Sequence, residues 1–300
     1  MTNGRTCALE IYTEDFLANL DSLELVVKIK QFRSLDFRVL SEDEIDERIQ
    51  NVLIHNGRYS FYSNHCTINK GYMYRVRKIE DSHLLQVNNY VESDFWDPPA
   101  EYAKQGRLNR KGESLLYTAI SRPLTAVQEA KIQKGEHFLL IVYEVVKDIE
   151  AIEIGGNFDS QYSGILNHCS KDKIILNNEI VNSFLIDEFR RDVGEGTEYL
   201  YKLSRTIAGC FGFPNAGTGF DGIKYPAAFD ASEWNVCLLP QKARESLRLK
   251  NAFIAEHHYE CDKLTLTQVM TGYSRVERAK FRNLSWHEQA MFSDKWWSDF

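Results

Sequence analysis

The sequence predicts an α+β fold in which helices pack on a compact mixed sheet. Two apolar runs typical of buried strands, at 114–120 and 137–146, flank a short helical pattern at 123–132. A longer helical pattern at 200–211 and a late strand-like run at 234–240 follow them. Strands and helices do not alternate in the regular order that a doubly wound parallel sheet requires, so the α+β class is favoured.

The N-terminal part, 1–70, is predicted to be a helical extension. Ser41 and Glu44 have the spacing of a capping box, in which each residue binds the main chain of the other. The apolar residues that follow recur at helical spacing: Ile45, Ile49, Val52 and Leu53. No pattern here indicates chemistry, so the extension is either an interaction arm or a layer that completes the core.

The strand patterns begin at 72–78, where aromatic and charged residues alternate. A long turn-rich connection occupies 94–112, and the run at 173–181 is interpreted as a further strand. The tail from about 245 is charged and aromatic, with a second capping signal at 285–288.

Composition and charge argue against several classes of partner. The chain has 43 acidic and 36 basic residues, a net charge of −7, which disfavours binding to nucleic-acid phosphates. No apolar run approaches the roughly 20 residues that cross a bilayer. The N-terminus lacks the apolar core of a secretory signal. We therefore expect a cytoplasmic protein with neither nucleic acid nor membrane as partner.

The cysteines and histidines predict no metal site. The six cysteines are scattered and never form a Cys-x-x-Cys pair. The tripeptide Asn-His-Cys occurs at 64–66 and 167–169, and a His-x-x-Cys stands at 258–261. Zinc requires about four converging ligands, usually in paired short spacings, and these fragments do not supply them.

A glycine pattern at 217–222 matches Gly-x-Gly-x-x-Gly but lacks the context of a dinucleotide site. A helix precedes it and Pro226 follows, whereas the dinucleotide fingerprint lies between a strand and a helix. We interpret it as a loop.

Four side chains near the predicted central strand are candidates for a site. Glu129 lies at the margin of the apolar side of its helix, where a solvated glutamate is the ordinary outcome. Arg75, in a strand, and Arg107, in a turn, carry the guanidinium that grips phosphate bidentately. Tyr117, centred in a strand, suits a core position or a stacking surface.

Three sequence blocks fall in order along the chain: YRVR at 74–77, GRLNRKGESLLYTAISRPLTAVQEA at 106–130 and DGIKYPAAFDASEWNVCLLP at 221–240. Together they resemble the RES domain family, which is named for an Arg, a Glu and a Ser in this order. The resemblance covers about 72–242, so we predict a RES-like, NAD-binding domain at 71–243 and a C-terminal extension at 244–300.

The resemblance implies a fold similar to that of ADP-ribosyltransferase toxins and a chemistry centred on NAD. Family members degrade NAD by hydrolysis or phosphorolysis, or act as ADP-ribosyltransferases, and many are toxins paired with an antitoxin. For this chain it implies NAD as substrate, no metal, and an antitoxin or a protein acceptor as partner. The alternative is a non-catalytic sensor, a RES pseudoenzyme that binds NAD and acts through a protein partner.

Position by position, Arg75 matches the family arginine and Glu129 the family glutamate. Arg107 and Tyr117 match additional pocket positions, and Asn235 matches the late asparagine. The resemblance thus implies Glu129 and Arg75 as catalytic residues, with Arg75, Arg107, Tyr117 and Asn235 binding NAD.

The family serine is missing. Ala227 stands in its place after Tyr-Pro, and the spacing gives no reason to move the role to Ser232. Loss of one neutral hydrogen bond costs about 0.5–1.5 kcal/mol. A slower enzyme, a compensated site and a pseudoenzyme all remain open.

The implied reaction gives the carboxylate a role. Cleavage of the nicotinamide–ribose bond passes through an oxocarbenium-like centre, which a nearby carboxylate stabilises more than it stabilises the substrate. Glu129 is the predicted carboxylate, with Arg75 and Arg107 holding the pyrophosphate and Tyr117 stacking on a ring. Water, phosphate and a protein side chain all remain open as acceptors of ADP-ribose.

Overall fold

The computed structural model confirms the α+β class and describes residues 14–120, 122–156, 171–214, 219–258, 264–272, 279–285 and 288. The chain divides into two units, the first formed by 1–66 with 152–218 and the second by 67–151 with 219–300. The boundaries predicted at 70 and 243 stay a prediction about the extent of the RES-like region.

The helices and strands of the first half are α1 Ser22–Arg33, α2 Glu42–Leu53, β1 Ile54–His55, β2 Arg58–Tyr59, β3 Asn64–Ile68, β4 Tyr72–Lys78, β5 Leu116–Ala119, α3 Pro123–Glu129, β6 His137–Val145 and β7 Ile149–Glu153. Those of the second half are α4 Lys171–Arg190, α5 Tyr201–Cys210, β8 Gly222–Pro226, β9 Trp234–Leu238, α6 Pro240–Ser246, β10 Leu247–His257, β11 Leu264–Gly272 and β12 Lys280–Asn283. Of the described helices, none combines the length and the apolar character that a membrane span needs.

The first unit contains α1, α2, α4 and α5. The predicted capping box is present at the start of α2, where the main-chain N–H of Ser41 donates to Glu44 at 2.8 Å and Glu44 N–H donates back to the serine hydroxyl. The four predicted core residues of α2 are buried. A hairpin follows it, because Asn56 and Gly57 both adopt the positive φ that a tight two-residue turn requires.

The strand predicted at 173–181 is wrong, because these residues form the middle of α4. The buried side of α4 carries polar amides as well as apolar groups, namely Asn177, Asn178 and Asn182. These amides hide the helical recurrence of apolar residues in the sequence. Polar contacts join α4 to α1: Ser22 Oγ donates to Asn177 Oδ1 at 2.6 Å, and Arg33 pairs with Asp187 at 2.6 Å and with Glu188 at 3.4 Å.

The second unit is built on a ten-stranded sheet with the order β12-β11-β10-β6-β4-β5-β9-β8-β7-β3. The predicted strands at 72–78, 114–120, 137–146 and 234–240 correspond to β4, β5, β6 and β9. The tail beyond 245 contributes β10, which pairs with β6 along its whole length, followed by β11 and β12.

Successive residues of each strand point to opposite faces of this sheet. The face that packs against α3, here called the α3 face, includes Tyr74, Ala119, Val127, Leu140 and Phe253. The other, here called the Trp96 face, includes Met73, Trp96, Leu116, Ile141 and Val236. The 3-10 helices Asp81–Asn89 and Glu92–Phe95, together with α6, cover the Trp96 face.

Candidate functional site

The turn that carries Arg107 is fastened to β5 by one tyrosine. The Tyr117 hydroxyl donates to Asn109 Oδ1 at 2.8 Å and accepts the N–H of Leu108 at 2.8 Å. The Asn109 amide nitrogen lies within hydrogen-bond distance of three main-chain carbonyls, those of Lys104, Arg110 and Glu113, which share its two N–H donors. Because Tyr117 lies between Leu116 and Thr118, which serve the Trp96 face, its ring belongs to the α3 face. The turn therefore brings Arg107 to that side.

Gly106 is required by the close packing of this turn. A Cβ at this position would lie 2.6 Å from Asn109 Oδ1 and 3.0 Å from the Tyr117 hydroxyl. The motif Gly-Arg-x-Asn thus has a structural account, in which the glycine admits the tyrosine hydroxyl and the asparagine closes the turn.

Burial raises the pKa of Tyr117 well above its usual value. The phenol therefore stays protonated and serves as donor and acceptor at once, which is what the two hydrogen bonds of its oxygen require.

Glu129 is the last residue of α3 and is partly exposed. Its Oε1 accepts the N–H of Ala228 at 2.7 Å. Within the described ranges, its second carboxylate oxygen has neither a hydrogen bond nor an ion pair. One oxygen therefore fixes the side chain and the other is left for a ligand.

The start of α3 contacts the loop 227–233, which also binds Glu129 at the other end of the helix. The Arg122 guanidinium pairs with the buried carboxylate of Glu233, and Thr125 Oγ1 donates to that carboxylate at 3.0 Å. The Ala227 N–H donates to Glu233 O at 2.8 Å. The loop 227–233 is thus tied to both ends of α3.

Ala227, at the position of the family serine, is fully buried. The next residue supplies the N–H that binds Glu129, so the structure brings the glutamate position and the serine position together. Ser232 is engaged within its own loop, where its hydroxyl donates to Asp230 at 2.7 Å.

Asn235 is buried on the α3 face, opposite Ala119 on β5 and Tyr225 on β8. Its amide nitrogen has no hydrogen-bond partner in the part of the chain that the structure describes. A buried polar group without a partner costs roughly 1–3 kcal/mol, so such groups commonly mark a place where a ligand or water supplies the missing atom.

Arg75 lies on the Trp96 face of the sheet. It follows Tyr74, a member of the α3 face, and its own side chain points to the Trp96 face, where the guanidinium donates to Trp96 O. Burial lowers the pKa of Arg75 from its usual value. The structure therefore brings Tyr117, Glu129 and Asn235 to one face, with Arg107 on the turn above it, and places Arg75 on the other.

Three residues that hold the site were missed by sequence reasoning. Asn109 and Thr125 lie inside the blocks that carry the resemblance, so the motifs themselves contained a signal for them. Glu233 also lies inside a block, the third, but its role depends on how α3 packs, which the sequence does not show.

Among the described residues, no three His, Cys, Asp or Glu side chains are grouped so that they could hold a metal ion. The second Asn-His-Cys tripeptide, Cys261 and the first residues of the glycine loop lie outside the described residues.

Comparison of the chain with models of protein families, with curated proteins and with solved structures finds no match.

Proposed function

We propose that the protein is an NAD-cleaving enzyme of the RES type, which breaks the nicotinamide–ribose bond and passes ADP-ribose to water, phosphate or a protein acceptor. One observation carries the proposal: Glu129, at the end of α3, presents a carboxylate oxygen that no described residue engages, on the side of the sheet that also holds the Asn235 amide, whose nitrogen has no partner among the described residues. In such a site the carboxylate lies beside the ribose, which takes up the positive charge of the nicotinamide ring as the bond breaks.

The two carboxylate oxygens of Glu129 have different roles in this proposal. Oε1 is held by the Ala228 N–H, so the carboxylate needs no reorganisation during the reaction. Oε2 faces the ribose and stabilises the oxocarbenium-like centre as nicotinamide leaves. Because the positive charge moves from the nicotinamide ring to the ribose only as the bond breaks, this contact raises the rate more than it raises affinity for NAD.

Arg107 takes the pyrophosphate in this proposal. Its turn is held on the α3 face through Tyr117 and Asn109, which fixes the main chain that carries this guanidinium. Arg75, predicted for the same role, points to the opposite face and is left out of the proposed site.

The remaining residues position the substrate. The half-buried ring of Tyr117 offers a stacking surface, while its hydroxyl is committed to the turn. The amide nitrogen of Asn235 donates to an acceptor oxygen of NAD and so gains the partner that it lacks among the described residues.

A second candidate is a sensor that binds NAD without turnover. Ala227 favours it, because a fully buried methyl group replaces the hydroxyl expected from the family pattern. Under either candidate, a cytoplasmic location and an antitoxin or protein acceptor as partner belong to the proposal.

Two measurements on the purified protein test the proposal: the heat of NAD binding and the release of nicotinamide, with and without added phosphate. Binding with release supports the enzyme, and phosphate dependence separates phosphorolysis from hydrolysis. Binding without release supports the sensor. A protein that neither binds NAD nor releases nicotinamide would overturn both candidates.

A further inference from the structure

We propose that Arg75 and Arg77 form a second binding site, for a phosphate group, on the Trp96 face of β4. This site is separate from the proposed NAD site, because the side chains of these arginines point away from the face that α3 covers.

The two arginines are neighbours on one face. Residues two apart on a strand are separated by about 7 Å. Both side chains are half-buried, and within the described ranges no carboxylate lies in ion-pair distance of either guanidinium. Two positive charges therefore stand side by side without a directly ion-paired carboxylate among the described residues.

Each guanidinium has most of its donors unused. Arg75 donates from Nη1 to Trp96 O, and Arg77 donates from Nη1 to Asp94 O at 3.3 Å. The Arg77 guanidinium also stacks 4.7 Å from the centre of the Tyr90 ring. A guanidinium carries five N–H donors, so each retains several for a ligand.

The surrounding charges do not neutralise the pair. Arg244, on α6, stacks 5.2 Å from the Trp96 ring and pairs with Asp97 at 2.9 Å. The carboxylate of Asp94 accepts the N–H of Val91 at 2.7 Å. Burial is the main cause that lowers the pKa of Arg75; the charge of Arg77 lowers it further, while Tyr143 and Asp97 act in the opposite direction without restoring it. An anion bound between the arginines relieves both effects.

Phosphate fits this arrangement better than a carboxylate does. A carboxylate pairs bidentately with one guanidinium, whereas a tetrahedral phosphate offers oxygens in several directions and bridges two of them. The phosphate group is either inorganic phosphate or part of a larger molecule such as a nucleotide.

Titration calorimetry at low salt tests the site with inorganic phosphate in one arm and AMP in the other. We expect wild type to bind at least one, with affinity reduced about tenfold or more in Arg77→Gln and in Arg75→Gln. Arg248→Gln is the matched control, because it removes an exposed arginine of the same sheet that already pairs with Glu144 at 2.6 Å.

Each outcome either supports or overturns the proposed phosphate site. Binding of inorganic phosphate assigns the free anion, and binding of AMP alone assigns a phosphate within a larger molecule. If Arg75→Gln fails to fold, Arg77→Gln decides alone, since its one main-chain contact is long. The proposal is overturned if wild type binds neither probe, if Arg77→Gln binds like wild type, or if the affinity falls in Arg107→Gln instead.

Discussion

Asn109 and Asn235 are both buried asparagines of the second unit, and they differ in what their amides bind. The Asn109 amide shares its two N–H donors among three carbonyls and accepts the Tyr117 hydroxyl. The side-chain amide nitrogen of Asn235 makes no hydrogen bond among the described residues. The first is a structural residue, and the second is available to a ligand.

Replacing each asparagine by leucine separates these roles. Asn235→Leu removes an unsatisfied donor, so we expect the free energy of unfolding to change by less than about 1 kcal/mol while NAD affinity falls about tenfold. Asn109→Leu removes the amide that joins the carbonyls of Lys104 and Glu113 to the Tyr117 hydroxyl, and we expect a loss of at least about 2 kcal/mol. Denaturant unfolding and calorimetry measure both; a large stability loss in Asn235→Leu alone would contradict the assignment.

Sequence reasoning located Tyr117 and Glu129 but not their hydrogen-bond partners. Residue type and motif spacing indicate which side chains belong to a site. They do not indicate that one oxygen of Glu129 is spent on Ala228, because that contact joins residues 99 apart in the chain.

At the scale of elements, prediction succeeded where apolar periodicity was plain and failed where polar residues were buried. Helix α2 has a capping box and a clean apolar stripe, and both were predicted. Helix α4 buries three asparagines and Glu188 on its inner side, so its period was obscured. The long strand β10 was missed because its Arg248 and Lys250, two charged residues of its first half, resemble a solvated tail.

The capping box of α2 makes an element-scale prediction. Ser41→Ala removes the hydroxyl that accepts the Glu44 N–H, and we expect a loss of about 1 kcal/mol in unfolding free energy at neutral pH. Chemical denaturation followed by circular dichroism measures it. Ser34→Ala serves as a comparison. Ser34 follows the C-terminal end of α1, and its hydroxyl donates to the carbonyl of Gln31 and does not accept a helix N–H.

The same contact predicts a pH dependence. Hydrogen bonds from the Ser41 N–H and hydroxyl lower the pKa of Glu44 below its ordinary 4.5. A carboxyl whose pKa is lower in the folded state contributes stability that is present above pH 4.5 and is lost as the pH falls through the folded value. The difference between wild type and Ser41→Ala should therefore shrink in acid; a difference that grew would contradict this account.

At the scale of the whole molecule, the face of the sheet on which each arginine lies determines which of them can belong to the proposed NAD site. Strand alternation predicts that Arg75 and Tyr74 point to opposite faces, but the sequence does not show which face α3 covers. Packing of Val127 beside Tyr74 settles the face, and it leaves Arg75 on the other side.

Two arginine variants test this division. We expect Arg107→Gln to lose about 100-fold or more in nicotinamide release, because one charged contact to the pyrophosphate and its positioning are lost together. Arg75→Gln, in a folded protein, should stay within about threefold of wild type, since its contacts lie on the opposite face. The reverse order of the two effects would move the proposed site to the Trp96 face.

The most direct test of the central claim is the rate of nicotinamide release by Glu129→Gln beside wild type. Glutamine keeps an oxygen to accept the Ala228 N–H but has no negative charge, so the variant isolates the charge. Glu136→Gln, which changes a half-buried carboxylate of the same unit that pairs with Lys78, is the control. We predict that Glu129→Gln binds NAD with near wild-type affinity and loses about 100-fold or more in release, while Glu136→Gln is unchanged; release by Glu129→Gln at the wild-type rate would contradict the account.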